Sequence, residues 1–132
     1  MVSLRPLEGK RVLLAEDETL VALFLARFLG KQGAEVLTIA SLEQARKLDV
    51  DTFDHAVLDV CLDDGEVYPL ARRLEQAGVP IVFHTGYGDT LRELRTFADA
   101  VILTKPAHGA AILAAIQSQA VNVLDVAEAG SP

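Results

Sequence analysis

With 132 residues, 51% of them hydrophobic and 23% charged, the chain has the size and balance of one globular domain with a real core. Its formal net charge of −7 argues against a nucleic-acid or anionic-membrane binder, which would need a basic footprint. A single cysteine, Cys61, excludes an internal disulfide and a thiolate-rich metal site; the start lacks a signal-peptide core and no apolar run reaches a membrane span, so a cytoplasmic protein is expected.

In chain order, residues 1–9 read as a short arm. Val12-Leu13-Leu14-Ala15 is a continuous apolar run, the pattern of a strand buried on both faces, and it runs directly into Glu16-Asp17-Glu18. A long helix follows over 19–32, with Gly33 as its stop. Val21, Phe24, Leu25, Phe28 and Leu29 form its core stripe, and Leu20 and Leu23 lie on a neighbouring flank. Val36-Leu37-Thr38-Ile39 is a second strand. Ser41 and Gln44 have the spacing of a capping box, which predicts a short helix over 41–48. A polar connector over 49–52 leads to a third strand, Ala56-Val57-Leu58-Asp59, and a loop containing Gly65.

Pro69 suits the first turn of a helix over 69–77, closed by Gly78. Residues 80–84 form a fourth strand ending at Thr85-Gly86. Asp89 is placed to cap a weaker helix as far as Phe97. Residues 101–103 are a fifth strand ending at Thr104-Lys105-Pro106, and 110–120 a last helix. Residues 121–132 form a tail that either extends that helix or is disordered. Strict alternation of strand and helix predicts an α/β fold: a five-stranded parallel sheet, doubly wound, in three layers. One domain over 10–120 is expected, with no effector domain after it.

In a parallel sheet the strand carboxyl ends share one edge, where ligands bind. Glu16 and Asp17, Asp59, Thr85 and Lys105 all follow strands, so three carboxylates, a hydroxyl and an ammonium converge there. Oxygen ligands alone favour a hard ion such as Mg2+. Lys105 supplies a charge for an anion, Thr85 a hydroxyl donor, and Gly86 a close backbone N–H. A carboxylate nucleophile with such partners suits phosphoryl transfer, where catalysis is mostly positioning and charge stabilisation.

On these residues the chain resembles the receiver domains of two-component response regulators (the CheY-like receivers), over about residues 10–120. The resemblance implies a (βα)5 flavodoxin-like fold and a signalling phosphoprotein rather than an enzyme. It implies that Asp59 is the phosphoacceptor, forming an aspartyl phosphate. Asp17, Asp59 and the backbone carbonyl of Cys61 would bind Mg2+, and Glu16 would hold the ion through water. Thr85 and Lys105 would grip the phosphoryl group. The implied donor is a sensor histidine kinase or a histidine phosphotransfer protein, in a two-component system or phosphorelay. Output is expected through an unknown downstream protein, or by relaying or draining phosphate, and a homodimer is left open.

Phe83-His84-Thr85-Gly86-Tyr87 is similar to the Phe-Ala-Thr-Gly-Tyr run of a stand-alone receiver subfamily, with His84 as a departure. Asp63 stands where receivers commonly carry Pro, and Ile102 where many carry Tyr or Phe. An aromatic switch is therefore not expected to work in its usual form. Tyr87 is expected to overhang the phosphoryl site and slow water attack.

Blander roles compete at several positions. Glu18 is expected to be an ordinary helix-start carboxylate, Asp63 and Asp64 turn formers, and Cys61 a packing residue. His55, His84 and His108 lack metal-ligand spacing, and packing is expected for His84. Leu20 and Leu23 either seat a helix of the phosphodonor or lie under the tail or final helix. Two other functions compete: a haloacid-dehalogenase-like phosphatase, disfavoured because Cys61 stands where its second Asp belongs, and a phosphorylation-independent interaction module, disfavoured by the complete acidic set.

Overall fold

The computed structural model describes residues 5–86 and 91–129. Strands β1 (Arg11–Ala15), β2 (Glu35–Ile39), β3 (His55–Leu58), β6 (Ile81–Thr85) and β7 (Val101–Thr104) form one parallel sheet in the order β2-β1-β3-β6-β7. A two-stranded hairpin, β4 (Cys61–Leu62) with β5 (Gly65–Glu66), stands apart from it. The helices are α1 (Thr19–Lys31), α2 (Leu42–Arg46), α3 (Tyr68–Gln76), α4 (Leu91–Leu94) and α5 (Gly109–Ala129), with a 3-10 turn over Val50–Thr52. The doubly wound α/β architecture is the expected one.

Successive strand residues face opposite sides of a sheet, and the cores divide accordingly. Leu13, Ala15, Ala56, Leu58, Ile81 and Phe83 belong to one cluster, with Leu70 and Leu74 of α3 and Phe97. Val12, Leu14, Val57 and Val82 belong to the other, with Leu25 and Leu29 of α1 and Ile112 and Ile116 of α5. Burial on both faces explains why these strands read as unbroken apolar runs. The chain leaves β1 towards β2 and then crosses to β3 on the other side. That reversal opens a crevice beyond the carboxyl ends of β1 and β3, where Glu16, Asp17 and Asp59 lie.

Several expectations need correction. The described part of the arm, from Arg5 on, belongs to the domain: Leu7 is buried in the second core, and its N–H donates to the Gln32 carbonyl at 2.8 Å. Burying one leucine contributes about 1.5–3 kcal/mol, but a lone apolar residue in a polar stretch carries no periodic signal. Gly33 stops α1 at φ +103°, and a Cβ there would come within 2.7 Å of the Glu8 backbone, so this position needs glycine. Phe24, on the core stripe that the spacing predicts for α1, is 56% exposed, and Ala22 is buried instead. Helix α1 is apolar over a wide arc, and the sheet selects the stripe through Leu25 and Leu29.

Ser41 caps α2, accepting from the Gln44 N–H at 3.1 Å, as expected. The helix ends at Arg46 rather than 48, where Arg73 of α3 donates to the Ala45 and Leu48 carbonyls at 2.9 and 2.7 Å. The loop after Asp59 is the β4–β5 hairpin, whose strands are too short for periodicity to reveal. Helix α4 is shorter than expected, and its proposed cap, Asp89, lies outside the described residues. The tail left open after 120 continues α5 as far as Ala129. Among the described residues, no helix is long and apolar enough to cross a membrane.

Candidate phosphoryl-transfer site

Strand ladders deliver the acidic residues. The Glu16 N–H donates to the Ile39 carbonyl at 2.9 Å and the Asp59 N–H to the Ala15 carbonyl at 2.8 Å. These bonds continue the β1–β2 and β1–β3 pairings one step past the strands, so both residues are set by sheet register. Carboxylate oxygens of Glu16, Asp17 and Asp59 lie within 4.8 Å of one another, the one such acidic group among the described residues. Glu16 and Asp59 are buried, and Asp17 is half-buried.

Lys105 faces them from the end of β7. Its Nζ lies 2.9 Å from Glu16 Oε1, 3.0 Å from Asp59 Oδ2 and 3.2 Å from Glu18 Oε1. Glu18 does more than begin a helix. It is the third carboxylate on Lys105, and its N–H donates to Glu16 Oε2 at 3.2 Å. Only the return of β7 to the sheet edge reveals this, so no local signal in the sequence could have shown it.

The two sides of this cluster respond differently to burial. For Lys105 burial opposes the charge, but its hydrogen bonds to Glu16 and Asp59 outweigh it and hold the ammonium well above its ordinary pKa. For Glu16 burial dominates, with Asp59 adding repulsion; Lys105 and the Glu18 N–H only partly offset them, and the pKa is pushed up to about 7. Lysine therefore stays charged while the most buried carboxylate resists ionisation. With every carboxylate ionised, Glu16, Asp17, Glu18 and Asp59 exceed the single Lys105 by three negative charges. That deficit, in an all-oxygen donor set, fits a hard dication such as Mg2+.

Thr85 ends β6. Since Leu58 pairs with Phe83, it stands one residue beyond the level of Asp59. Its buried Oγ1 has no hydrogen-bond partner among the described residues, so a donor hydroxyl is available at this edge. Lys105 joins the same edge through its N–H, which donates to the Thr85 carbonyl at 2.8 Å. Gly86 follows, exposed. Tyr87 lies outside the described residues. Ile102 pairs with Phe83 and packs, half-buried, against the core of Phe83 and Phe97.

Cys61 begins the hairpin with its side chain exposed, so the packing role expected for it is not what the fold uses. Asp64 does more than form a turn. Its carboxylate accepts from the Leu42 and Glu43 N–H groups at 2.7 and 3.0 Å, tying the hairpin to the start of α2. Leu20 and Leu23 are 79% and 47% exposed, so the described residues bury neither of them. Leu20 and Phe24 line a groove that reaches His84 and Lys105; Leu23 does not line it.

The family model of the response regulator receiver domain matches residues 12–117. The fold is similar to the non-phosphorylated HemR receiver domain from Leptospira biflexa, at 26% identity, a TM-score of 0.72, and coverage of 84% of this chain and 94% of that one. It is similar as well to the inactive regulatory domain of the repressor of iron transport regulator (RitR), at 28% identity and a TM-score of 0.70, covering 83% of this chain and 94% of that one. A response regulator receiver protein from Sinorhizobium medicae, 24% identical, matches the fold at a TM-score of 0.73 over 86% of this chain and 95% of its own. The family match runs from β1 into α5 and takes in every member of the acidic cluster and the lysine facing it: the chain belongs to the response regulator receiver domains.

Proposed function

We propose that the protein accepts a phosphoryl group on Asp59 from a phosphohistidine, carried by a sensor histidine kinase or a phosphotransfer protein. The observation that carries this reading is the meeting of Asp59, Glu16 and Asp17 with Lys105 at one sheet edge, the ammonium 3.0 Å from Asp59 Oδ2. An Asp59 carboxylate oxygen attacks phosphorus, a P–O bond forms, the P–N bond breaks, and the imidazole leaves with the electron pair. Little covalent chemistry falls to the protein, so its task is to orient and to balance charge.

Lys105 balances the oxygens of the transferred group, as a point charge that stays protonated. Thr85 donates its hydroxyl to them, and Gly86 its N–H. Asp17, Asp59 and the carbonyl of Cys61 would hold Mg2+, with Glu16 through water. The ion supplies neutralisation of phosphoryl charge. The donor would dock on α1: Leu20 and Phe24 give an apolar face whose groove leads to Lys105, so a side chain seated there approaches Asp59. Leu23 extends that face. The signal then passes on by protein–protein contact or by relay of the phosphoryl group.

The test is incubation with a phosphohistidine-bearing phosphotransfer protein and Mg2+. One phosphoryl group per chain should leave the donor and appear on this protein. Repeated turnover of a generic phosphate ester, without a stable acceptor, would contradict the reading and favour a phosphatase.

A further inference from the structure

His84 interrupts a strand whose other residues have evident roles. It is buried on β6, level with Leu103 of β7 and next to Thr85. The Ala107 N–H donates to its Nε2 at 3.2 Å. Ala107 lies two residues past Lys105, where the chain has left the sheet. The last ladder bond there is the Lys105 N–H to the Thr85 carbonyl, at 2.8 Å. The imidazole therefore adds a tie between the strand that carries Thr85 and the loop that carries Lys105.

That bond dictates the state of the ring. A nitrogen that accepts from an N–H carries no proton, so the proton of the neutral imidazole sits on Nδ1. Burial lowers the pKa of His84, Lys105 lowers it further, and Asp59 and Glu18 oppose them. The balance favours the neutral ring. Nδ1 is buried with no hydrogen-bond partner among the described residues, so the bond to Ala107 is made at the cost of an unsatisfied donor. Simple space-filling would be served better by an apolar side chain.

We propose that His84 is a positioning residue of the phosphoryl site, a neutral latch whose Nε2 accepts from the Ala107 N–H and sets the Lys105 loop against Thr85. This rests on the reading of Asp59 as phosphoacceptor, because Lys105 and Thr85 are then the groups that must close on one phosphoryl group. A latch of this kind acts through its acceptor atom, and the position of that atom is testable. A glutamine oxygen reaches about as far as Nε2, while an asparagine oxygen reaches only as far as Nδ1.

Nitrogen-15 NMR of the wild-type protein at neutral pH should show the tautomer protonated on Nδ1. A ring protonated on Nε2 would overturn the proposal without recourse to any variant. In His84→Ala and His84→Asn, exchange of the Ala107 amide should quicken about 2- to 10-fold, the range of one hydrogen bond. Phosphorylation of Asp59 by phosphoramidate with Mg2+ should slow in similar proportion, and His84→Gln should restore both. An asparagine as effective as glutamine, or an Ala107 amide unmoved in all three variants, would reduce His84 to packing and overturn the latch. Absence of phosphate on the wild type would overturn the phosphoacceptor reading, and with it any role at a phosphoryl site. The tautomer and the amide report on the latch independently of that outcome.

Discussion

Glu16 stores a conflict between the fold and the charge of its site. Its pKa in the folded protein is about 7, against an ordinary value of 4.5, chiefly because it is buried and then because Asp59 is near. A carboxyl whose folded pKa is raised contributes stability that is full below the unfolded value and lost as pH rises through the folded one. Metal-free protein should therefore lose stability between about pH 5 and about pH 8, relative to a Glu16→Gln variant that lacks this titration. Urea unfolding of both proteins across that range checks the sign, and parallel curves would contradict it. Added Mg2+ should shrink the difference, since a dication takes the place of the proton. Asp59, Asp17, Glu16, Thr85 and Lys105 were legible in the sequence because each follows an apolar strand, and parallel topology sends every strand end to one edge. Glu18 and His84 were not, because their partners, Lys105 and Ala107, lie far along the chain and meet them only through the β6–β7 pairing.

At the scale of elements, α1 is the most exposed apolar surface beside the site. Leu20 and Phe24 are largely exposed and Leu23 about half, so replacing the two leucines with Glu should change stability by no more than about 1 kcal/mol. The same double variant should slow transfer from a phosphohistidine protein while leaving phosphorylation by a small-molecule donor intact. Equal loss with both donors would remove the docking role. Helix α2 depends on the hairpin beyond Asp59, since Asp64 accepts two of its first N–H groups. Asp64→Ala should lower the urea midpoint, with the increase in amide exchange concentrated at Leu42 and Glu43. Periodicity found the long elements and the caps found their ends, as Ser41 and Gly33 show. It could not reveal two-residue strands, nor choose among overlapping apolar stripes on α1; there the packing of Ala22, Leu25 and Leu29 against the sheet decides.

For the molecule as a whole, two cores pin the sheet from both sides while its carboxyl edge carries uncompensated negative charge. A ligand that binds only the folded state stabilises it by mass action. Millimolar Mg2+ should therefore raise Tm in the wild type and leave it nearly unchanged in Asp17→Asn, whereas equal shifts in both would place the ion elsewhere. The architecture was readable because strict alternation of strand and helix admits few topologies. The place of Leu7 in the core was not, since tertiary contact alone assigns it. All of this converges on the chemistry of one carboxylate, Asp59. Intact-mass measurement after incubation with phosphoramidate and Mg2+ should find one acid-labile phosphoryl group on the wild type and none on Asp59→Ala. An unmodified wild type, or a phosphoryl group that persists on Asp59→Ala, would contradict it.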